Sequence, residues 1–162
     1  MGLAADVWWQ GYGGLILKRT ERKLRTLLKI RDPPKYLLLH VGGNDLGHTR
    51  IKDLKGEMIV LADFINKNMP KTTLIWSGIL PRNWDTANKG LEAARKRINT
   101  LGAKISKGTG GFYIKHTNLI PFDFANYQSD GVHLTEDGEQ KFIMNIQFAL
   151  SQILQGKSNW YK

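Results

Sequence analysis

Apolar residues in the first half of the chain form short, dense runs that alternate with longer amphipathic stretches. Ala4–Trp9, Tyr36–Val41 and Thr72–Ser77 are mostly aliphatic, aromatic or β-branched, which predicts strands. Between them, Leu15–Ile30 and Thr49–Met69 repeat apolar residues at spacings of three and four. That spacing predicts helices with one buried face.

The second half of the chain continues this alternation. Its predicted elements are, in order, a helix over Ala87–Ser106, a strand over Phe112–Lys115, an irregular segment from His116 to Val132, and a helix over Glu136–Leu154. Asp85 or Thr86 is a suitable N-cap for the first of these helices, and Thr135 for the last. Strands and helices therefore alternate four times. This order predicts an α/β fold of three layers (α/β/α) with a mainly parallel, flavodoxin-like sheet.

Composition predicts one globular domain over residues 1–162, with 156–162 as a loose tail. The absence of cysteine excludes disulfides and zinc–thiolate sites. No signal peptide and no apolar run of about 18 residues is visible, so we expect an intracellular, cytoplasmic protein without a membrane span. No metal-ligand spacing or nucleotide-binding fingerprint occurs, so we expect no cofactor and no metal. His40 is expected to be packed, whereas His48 and His116 stand isolated in the sequence.

The formal net charge of +10 leaves two interpretations open. The chain either binds a polyanion such as nucleic acid, or is simply a basic protein or a piece of one. The positive charge is concentrated in the first helix, at Lys18, Arg19, Arg22, Lys23, Arg25 and Lys29. Such residues usually form a solvated face. With Trp8, Trp9, Trp160 and Tyr161 available for stacking, they also suit weak binding of single-stranded nucleic acid.

Two glycines and two polar residues follow the run Tyr36–Val41 directly. Gly42 and Gly43 permit a tight turn, because glycine reaches backbone angles that are closed to other residues. Asn44 and Asp45 then lie at the carboxyl end of a predicted strand, where ligands bind in open α/β sheets. Asp45 is expected to hold the turn by accepting backbone N–H groups.

A second polar cluster, Asp130 and His133, precedes the last helix. A carboxylate on one imidazole nitrogen fixes the tautomer and leaves the other nitrogen free as a general base. An isolated pair of this spacing is more often a turn-holding aspartate beside a surface histidine. The pair therefore gains functional meaning only together with the first cluster.

Read together, Gly42-Gly43-Asn44-Asp45 and Asp130-Gly131-Val132-His133 resemble two signature blocks of the SGNH (GDSL-type) hydrolases. Gly11-Tyr12-Gly13-Gly14 resembles the family's loop that gives a backbone amide to the oxyanion hole. Ser77-Gly78-Ile79-Leu80-Pro81-Arg82 resembles the loop after the family's fourth strand. The resemblance spans roughly Ala4 to Leu150. Within the family, the chain is similar to esterase-like domains encoded by some retrotransposons, LINE-type among them.

The resemblance implies hydrolysis of a small acyl ester by a Ser-His-Asp mechanism. Asn44 would donate its side-chain N–H, and Gly14 or Gly13 its backbone N–H, to the developing oxyanion. His133 would be the general base and Asp130 the group that orients it.

One part of the family pattern is absent. The nucleophilic serine of the family stands at the tip of a strand that would precede the first one here. The chain's serines are Ser77, Ser106, Ser129, Ser151 and Ser158. None is a convincing replacement, so the nucleophile is unknown and hydrolysis is expected to be impaired. Whether the chain is an enzyme stays open. The alternative is a non-catalytic domain of a retroelement RNA-associated protein.

The missing strand also has a structural consequence. In the flavodoxin-like order it would lie between Ala4–Trp9 and Tyr36–Val41, so its absence exposes two rows of backbone groups. Three outcomes are open: the two strands pair directly, another chain or segment supplies the strand (in a homo-oligomer or in trans), or the sequence is a truncated copy.

Overall fold

The computed structural model describes residues 5–83 and 89–157. Its helices are α1 (Leu17–Leu27), α2 (Ile51–Asn68), α3 (Lys89–Gly108) and α4 (Glu136–Leu154), and its strands are β1 (Tyr36–Leu39), β2 (Thr73–Ser77) and β3 (Phe112–Ile114). Short 3₁₀ turns at Thr117–Leu119 and Phe124–Asn126 lie between β3 and α4.

The strands form a parallel sheet in the order β1-β2-β3, with Leu38 opposite Ile75 and Ile75 opposite Phe112. Successive side chains point to opposite faces of a strand, so each strand contributes to two cores. This arrangement gives the three-layer α/β/α architecture that the sequence predicts.

The larger core lies on one face of the sheet, where Leu39, Leu74 and Trp76 pack against α1, α2 and α3. On the other face, Ile75 and Ile114 pack against α4. Trp76 and Ile75 are both fully buried, as expected for a central parallel strand covered on both faces.

The prediction of a strand over Ala4–Trp9 is wrong for the residues that the structure describes. Residues 5–10 form no strand, and Val7, Trp8 and Trp9 are 42%, 44% and 52% exposed. The physical reason is that no described strand lies beside this segment to accept its backbone hydrogen bonds. Direct pairing with β1, one of the three outcomes considered above, therefore does not occur here.

The other predicted elements are present, with ends that differ by a few residues. The last helix begins and ends as predicted, and Thr135 is confirmed as its N-cap because its hydroxyl accepts from the Gly138 amide at 3.2 Å. The predicted cap at Asp85 or Thr86 lies outside the described residues, as does most of the predicted tail. Among the described residues, no helix has the length and apolar character needed to cross a membrane.

Candidate active site

Asn44 stands exposed at the carboxyl end of β1, after a turn in which Gly42 has φ +99°. Its side chain has two partners. Its Nδ2 donates to the backbone carbonyl of Leu15 at 3.1 Å, and its Oδ1 accepts from Nη2 of Arg82 at 3.1 Å. The amide is thus held between the loop before α1 and the loop after β2.

The predicted glycines lie beside this amide. Gly14 has φ +66° and directly precedes Leu15, the residue whose carbonyl Asn44 binds, and both Gly13 and Gly14 are exposed. The structure therefore brings the glycine loop next to the Asn44 side chain. Whether their N–H groups act together on an oxyanion stays a prediction.

Asp45 serves the fold. It is 1% exposed, and its Oδ2 accepts from the backbone N–H of Leu17, the first residue of α1, at 3.0 Å. Burial raises the pKa of this carboxyl, and the hydrogen bond from Leu17 opposes that rise. The expectation that Asp45 holds its own turn is therefore wrong, because its carboxylate accepts from the N–H of Leu17 and so fastens the start of α1 to the end of β1.

Asp130 and His133 form a close pair before α4. Asp130 Oδ2 lies 2.5 Å from His133 Nδ1, and Asp130 Oδ1 accepts from the backbone N–H groups of Val132 at 2.8 Å and His133 at 2.9 Å. The hydrogen bond from His133, followed by these two amides, lowers the pKa of Asp130 to about 2. The His133 side chain is 74% exposed, so its second nitrogen faces solvent.

The loop after β2 connects the two clusters. Arg82 donates to Asn44, and the next residue, Asn83, donates its backbone N–H to the carbonyl of Gly131 at 2.9 Å. Gly131 has φ +65°, and a Cβ there would collide with Cβ of Asn83, so only glycine fits this contact. The Asn44 turn and the Asp130–His133 turn thus share the carboxyl edge of the sheet.

Arg82 is a site residue that the sequence interpretation did not single out. Desolvation lowers the pKa of its guanidinium, while electrostatic interactions with Tyr127 and Asp130 act in the opposite direction. A cation at this edge would attract an anionic or carbonyl ligand. The signal available in the sequence was its place at the end of the block that follows a buried strand.

Another polar cluster crosses the face of the sheet that α4 covers. It consists of His40, Ser77, His116 and Asn145 and is called the buried row below. Ser77 Oγ lies 3.0 Å from His40 Nδ1 and 2.8 Å from His116 Nε2. Nδ1 of His116 lies 3.3 Å from Nδ2 of Asn145, which also donates to Asn118 at 2.6 Å. The interpretation of His116 as isolated is therefore wrong, because the topology brings together strand ends that are 37 and 39 residues apart.

Proton positions in the buried row follow from its partners. With Asn145 donating to Nδ1 of His116, that ring carries its proton on Nε2 and donates to Ser77. The hydroxyl of Ser77 can then donate to Nδ1 of His40. Desolvation lowers the pKa of His116 to about 3, and desolvation together with the charge of Arg82 lowers that of His40 to about 4. The rings are therefore neutral near pH 7, although part of His40 is exposed to solvent.

No serine among the described residues hydrogen-bonds His133. Ser77 and Ser106 are fully buried, Ser106 donates to a carbonyl of its own helix, and Ser129 adjoins Asp130 on the same turn. Ser158 lies outside the described residues. Within the described parts of the chain, no group of three or more acidic, histidine or cysteine side chains could hold a metal ion.

The basic face predicted on α1 is exposed at Lys18, Arg19 and Arg22. Two of the other cations have partners. Arg25 pairs with Glu21 at 2.8 Å, and Lys23 lies 4.4 Å from the centre of the Tyr12 ring. Part of the predicted cationic and aromatic surface is thus already engaged within the chain.

Comparison by sequence finds no matching family model and no matching curated protein. Comparison by structure does find similar structures. The family 3 carbohydrate esterase of Clostridium thermocellum has 25% identity and a TM-score of 0.69, over 91% of this chain and 70% of that one. The psychrotrophic esterase EstA of Pseudoalteromonas has 18% identity and a TM-score of 0.69, over 88% and 74%.

A third similar structure is the OSK domain of Drosophila Oskar, with 16% identity and a TM-score of 0.70, over 85% of this chain and 71% of that one. Structures described as GDSL-like lipases match as well, among them one from Bacteroides thetaiotaomicron with a TM-score of 0.65. Sequence identities this low show a likeness of fold and do not show a shared activity. The element order, the parallel sheet and these likenesses together show that the chain has the SGNH (GDSL-type) hydrolase fold.

Proposed function

We propose that the edge carrying Asn44, Arg82, Asp130 and His133 is an acyl-ester site that keeps its base and its oxyanion donors, with no serine nucleophile at this edge among the described residues. The observation that carries this proposal is the Asp130–His133 pair, with 2.5 Å between Oδ2 and Nδ1 and the imidazole exposed. A histidine oriented in this way by a carboxylate is a general base with its second nitrogen available.

The proposed chemistry is slow hydrolysis of a small ester. His133 takes a proton from water or from a supplied hydroxyl, which attacks the ester carbonyl. The negative charge on the carbonyl oxygen is met by N–H groups of Asn44 and of Gly14 or Gly13. Asp130 steadies the imidazolium that forms. When the tetrahedral intermediate collapses, its bond to the alcohol oxygen breaks and the imidazolium gives its proton to the leaving alkoxide, which restores neutral His133. Because no serine among the described residues bonds His133, we expect no covalent acyl-serine intermediate and therefore low turnover.

The test is hydrolysis of 4-nitrophenyl acetate by the chain, compared with His133→Ala and Ser77→Ala. We expect slow turnover that falls about 10²-fold in His133→Ala, since a positioned general base contributes about 10²- to 10⁴-fold. Ser77→Ala should leave the rate unchanged, because Ser77 is buried. A rate that is insensitive to His133→Ala contradicts the proposal. A rate lost only in Ser77→Ala would make Ser77 the nucleophile.

A second candidate function is the binding of single-stranded nucleic acid through α1. Lys18, Arg19 and Arg22 are exposed and form no ion pair among the described residues, and the net charge is +10. A retroelement origin of the chain stays a prediction. Contacts between lysine or arginine and phosphate release counterions, so this binding would weaken steeply with salt.

The measurement is the anisotropy of a fluorescein-labelled 20-nucleotide oligouridine at several salt concentrations. Arg22→Glu should weaken binding and flatten the salt dependence. Lys55→Glu, at an exposed position of α2, is the matched control. Equal effects of both changes would indicate attraction to the net charge alone, and binding indifferent to salt would exclude this function.

A further inference from the structure

The Asn44 side chain ends in two different groups, and only one of them can stabilise an oxyanion. Its Nδ2 carries two N–H bonds and donates, whereas its Oδ1 accepts. A carboxamide turned end for end would present its oxygen to the developing negative charge and repel it. The direction in which this carboxamide faces therefore decides whether Asn44 can act as the proposed donor.

Two partners set this direction in the structure. The carbonyl of Leu15 can only accept, and it takes one N–H of Nδ2 at 3.1 Å. The guanidinium of Arg82 can only donate, and its Nη2 meets Oδ1 at 3.1 Å. The donor end of the Asn44 carboxamide thus faces the loop that contains Gly14, the other proposed donor. Its acceptor end faces the loop after β2.

Arg82 differs from Leu15 because it brings a positive charge to the carboxamide. A hydrogen bond from a charged donor is stronger than one between neutral groups, and hydrogen bonds in a chain polarise one another. A guanidinium at Oδ1 therefore makes the N–H groups of Asn44 better donors. Desolvation lowers the pKa of Arg82, so the guanidinium is partly removed from water, and its charge is screened less there than in bulk solvent.

The loop after β2 is held at several points, so that Arg82 extends from a fixed base. The N–H of Ile79 donates to Oδ1 of Asn99 at 2.8 Å. The carbonyl of Ile79 accepts from Nδ2 of Asn99 at 2.9 Å and from Nη1 of the buried Arg95 at 3.0 Å. Beyond Arg82, the N–H of Asn83 binds the turn before α4. Support of this kind is what holds a functional side chain in one geometry.

The turn after β1 leaves room for the guanidinium. A Cβ at Gly43 would lie 2.9 Å from Nη2 of Arg82 and 3.6 Å from its Cζ, so the Arg82 side chain passes over the glycine to reach Asn44. A side chain at position 43 would displace the guanidinium from this contact. The glycine turn, the loop after β2 and Asn44 therefore fit together around Arg82.

We propose that Arg82 is a positioning residue, which fixes the direction of the Asn44 carboxamide and strengthens its N–H groups as oxyanion donors. Arg82 acts through Asn44 and makes no contact with the substrate in this role. The inference rests on the proposed function, because it assigns a task within the same site. It predicts that the effect of Arg82 on turnover depends on the presence of Asn44.

A double-mutant cycle on the turnover of 4-nitrophenyl acetate tests this dependence. We expect Arg82→Gln to lower kcat about tenfold with KM within about twofold, because the lost interaction acts in the transition state. In the Asn44→Ala background, the same change should cost less than about twofold. Arg82→Lys keeps a charged donor and should restore part of the loss. Arg97→Gln removes an exposed positive charge of α3 and should leave the rate unchanged.

A second measurement follows acetate binding by nuclear magnetic resonance and needs no turnover. Acetate is the product of the assay, and its negative oxygen resembles the charge that forms on an ester carbonyl. In isotopically labelled protein, the Asn44 side-chain resonances are identified by their loss in Asn44→Ala. We expect acetate to shift them saturably. Arg82→Gln should move these resonances and weaken acetate binding about tenfold, since a charge-assisted network is lost, whereas Arg97→Gln should leave both unchanged.

Three results would overturn the proposal. They are an equal loss of turnover for Arg82→Gln with and without Asn44, the same loss in Arg97→Gln, and Asn44 resonances and acetate affinity that Arg82→Gln leaves unchanged. All variants should melt cooperatively, and Arg82→Lys carries the comparison if the glutamine variant unfolds. Failure of the proposed function has another signature, because turnover is then insensitive to His133→Ala while the acetate titration still decides the role of Arg82.

Discussion

Two histidine clusters lie near the carboxyl end of the same sheet and differ in almost every physical respect. The Asp130–His133 pair is made by residues three apart and is open to solvent. The buried row joins His40, Ser77 and His116 from three strand ends, and His116 is 1% exposed. The row contains a serine–histidine hydrogen bond of 2.8 Å, between Ser77 and His116, of the kind that a nucleophilic serine forms with its general base.

The difference shows that a short serine–histidine hydrogen bond does not by itself make a reactive site. Ser77 is buried beneath α4, where a substrate carbonyl has no approach. A substrate can reach His133, which is exposed, but no serine among the described residues hydrogen-bonds it. A buried network of this kind stabilises and specifies the fold, whereas an exposed, carboxylate-oriented imidazole is free to transfer protons.

The largest expected effect is a loss of folding stability at low pH that arises in the buried row. The pKa of His116 is lowered to about 3 in the folded chain, against about 6.5 when unfolded, so below pH 6.5 the unfolded state takes up a proton that the folded state excludes. Stability should therefore fall as the pH drops, by about 3 kcal/mol between pH 6.5 and 4 from His116 alone. His40 acts in the same direction with a smaller effect, because part of it is exposed to solvent.

Urea unfolding of the parent chain and of His116→Gln over this pH range measures that effect. The variant should be less stable at pH 7. It should also lose less stability on acidification, because glutamine takes up no proton in the unfolded state. The effects of the carboxylates, which both proteins share, cancel when the two curves are subtracted. Parallel curves for the two proteins would show that the buried row does not sense protons.

Asn44→Ala tests the proposed oxyanion donor beside the Asp130–His133 pair. Loss of one oxyanion donor lowers turnover about 10²-fold, so residual hydrolysis of 4-nitrophenyl acetate should fall by that factor. Asn68→Ala removes an asparagine near the other end of α2 that bonds only the carbonyl of Phe64, and it should leave the rate unchanged. An unchanged rate in Asn44→Ala would remove this side chain from the proposed site.

Ser77→Ala should act on stability alone. The change leaves nitrogens of His40 and His116 without their partner, and a buried unsatisfied group costs about 1–3 kcal/mol. We expect a loss of about 2 kcal/mol in the free energy of unfolding, with ester turnover within about twofold of the parent. Chemical denaturation and the ester assay on the same preparation check both expectations. A stable variant without turnover would reverse the assignment of the two clusters.

The smallest expected effect is at Thr135, the N-cap that holds α4 behind both clusters. Thr135→Ala removes the hydroxyl that accepts from the Gly138 amide, at a cost of about 1 kcal/mol. Thr135→Ser keeps a cap and should retain most of the stability. A shift in the thermal midpoint of Thr135→Ala without a change in turnover would show that the cap supports the fold and not the His133 geometry.

The sequence by itself determined the elements whose pattern is local. The helix Glu136–Leu154 and its cap, the helical spacing of α2, and the contact of Asp130 with His133 follow from residues within a few positions of one another. The glycine turn after β1 is of the same kind, because Gly42 has the positive φ that glycine permits.

Only the tertiary structure decided what depends on distant partners. The run Ala4–Trp9 has the composition of a strand, but a strand exists only where another supplies hydrogen bonds, and none of the described strands lies there. In the same way, the structure showed that His116 is hydrogen-bonded to Ser77 and that Arg82 is hydrogen-bonded to Asn44. The ends of parallel strands lie close together whatever their separation in the chain, so these pairs could not be found from local sequence. The position of β1 is likewise decided by the assembled sheet, since a run whose sequence is typical of a central strand lies at the edge of the described sheet.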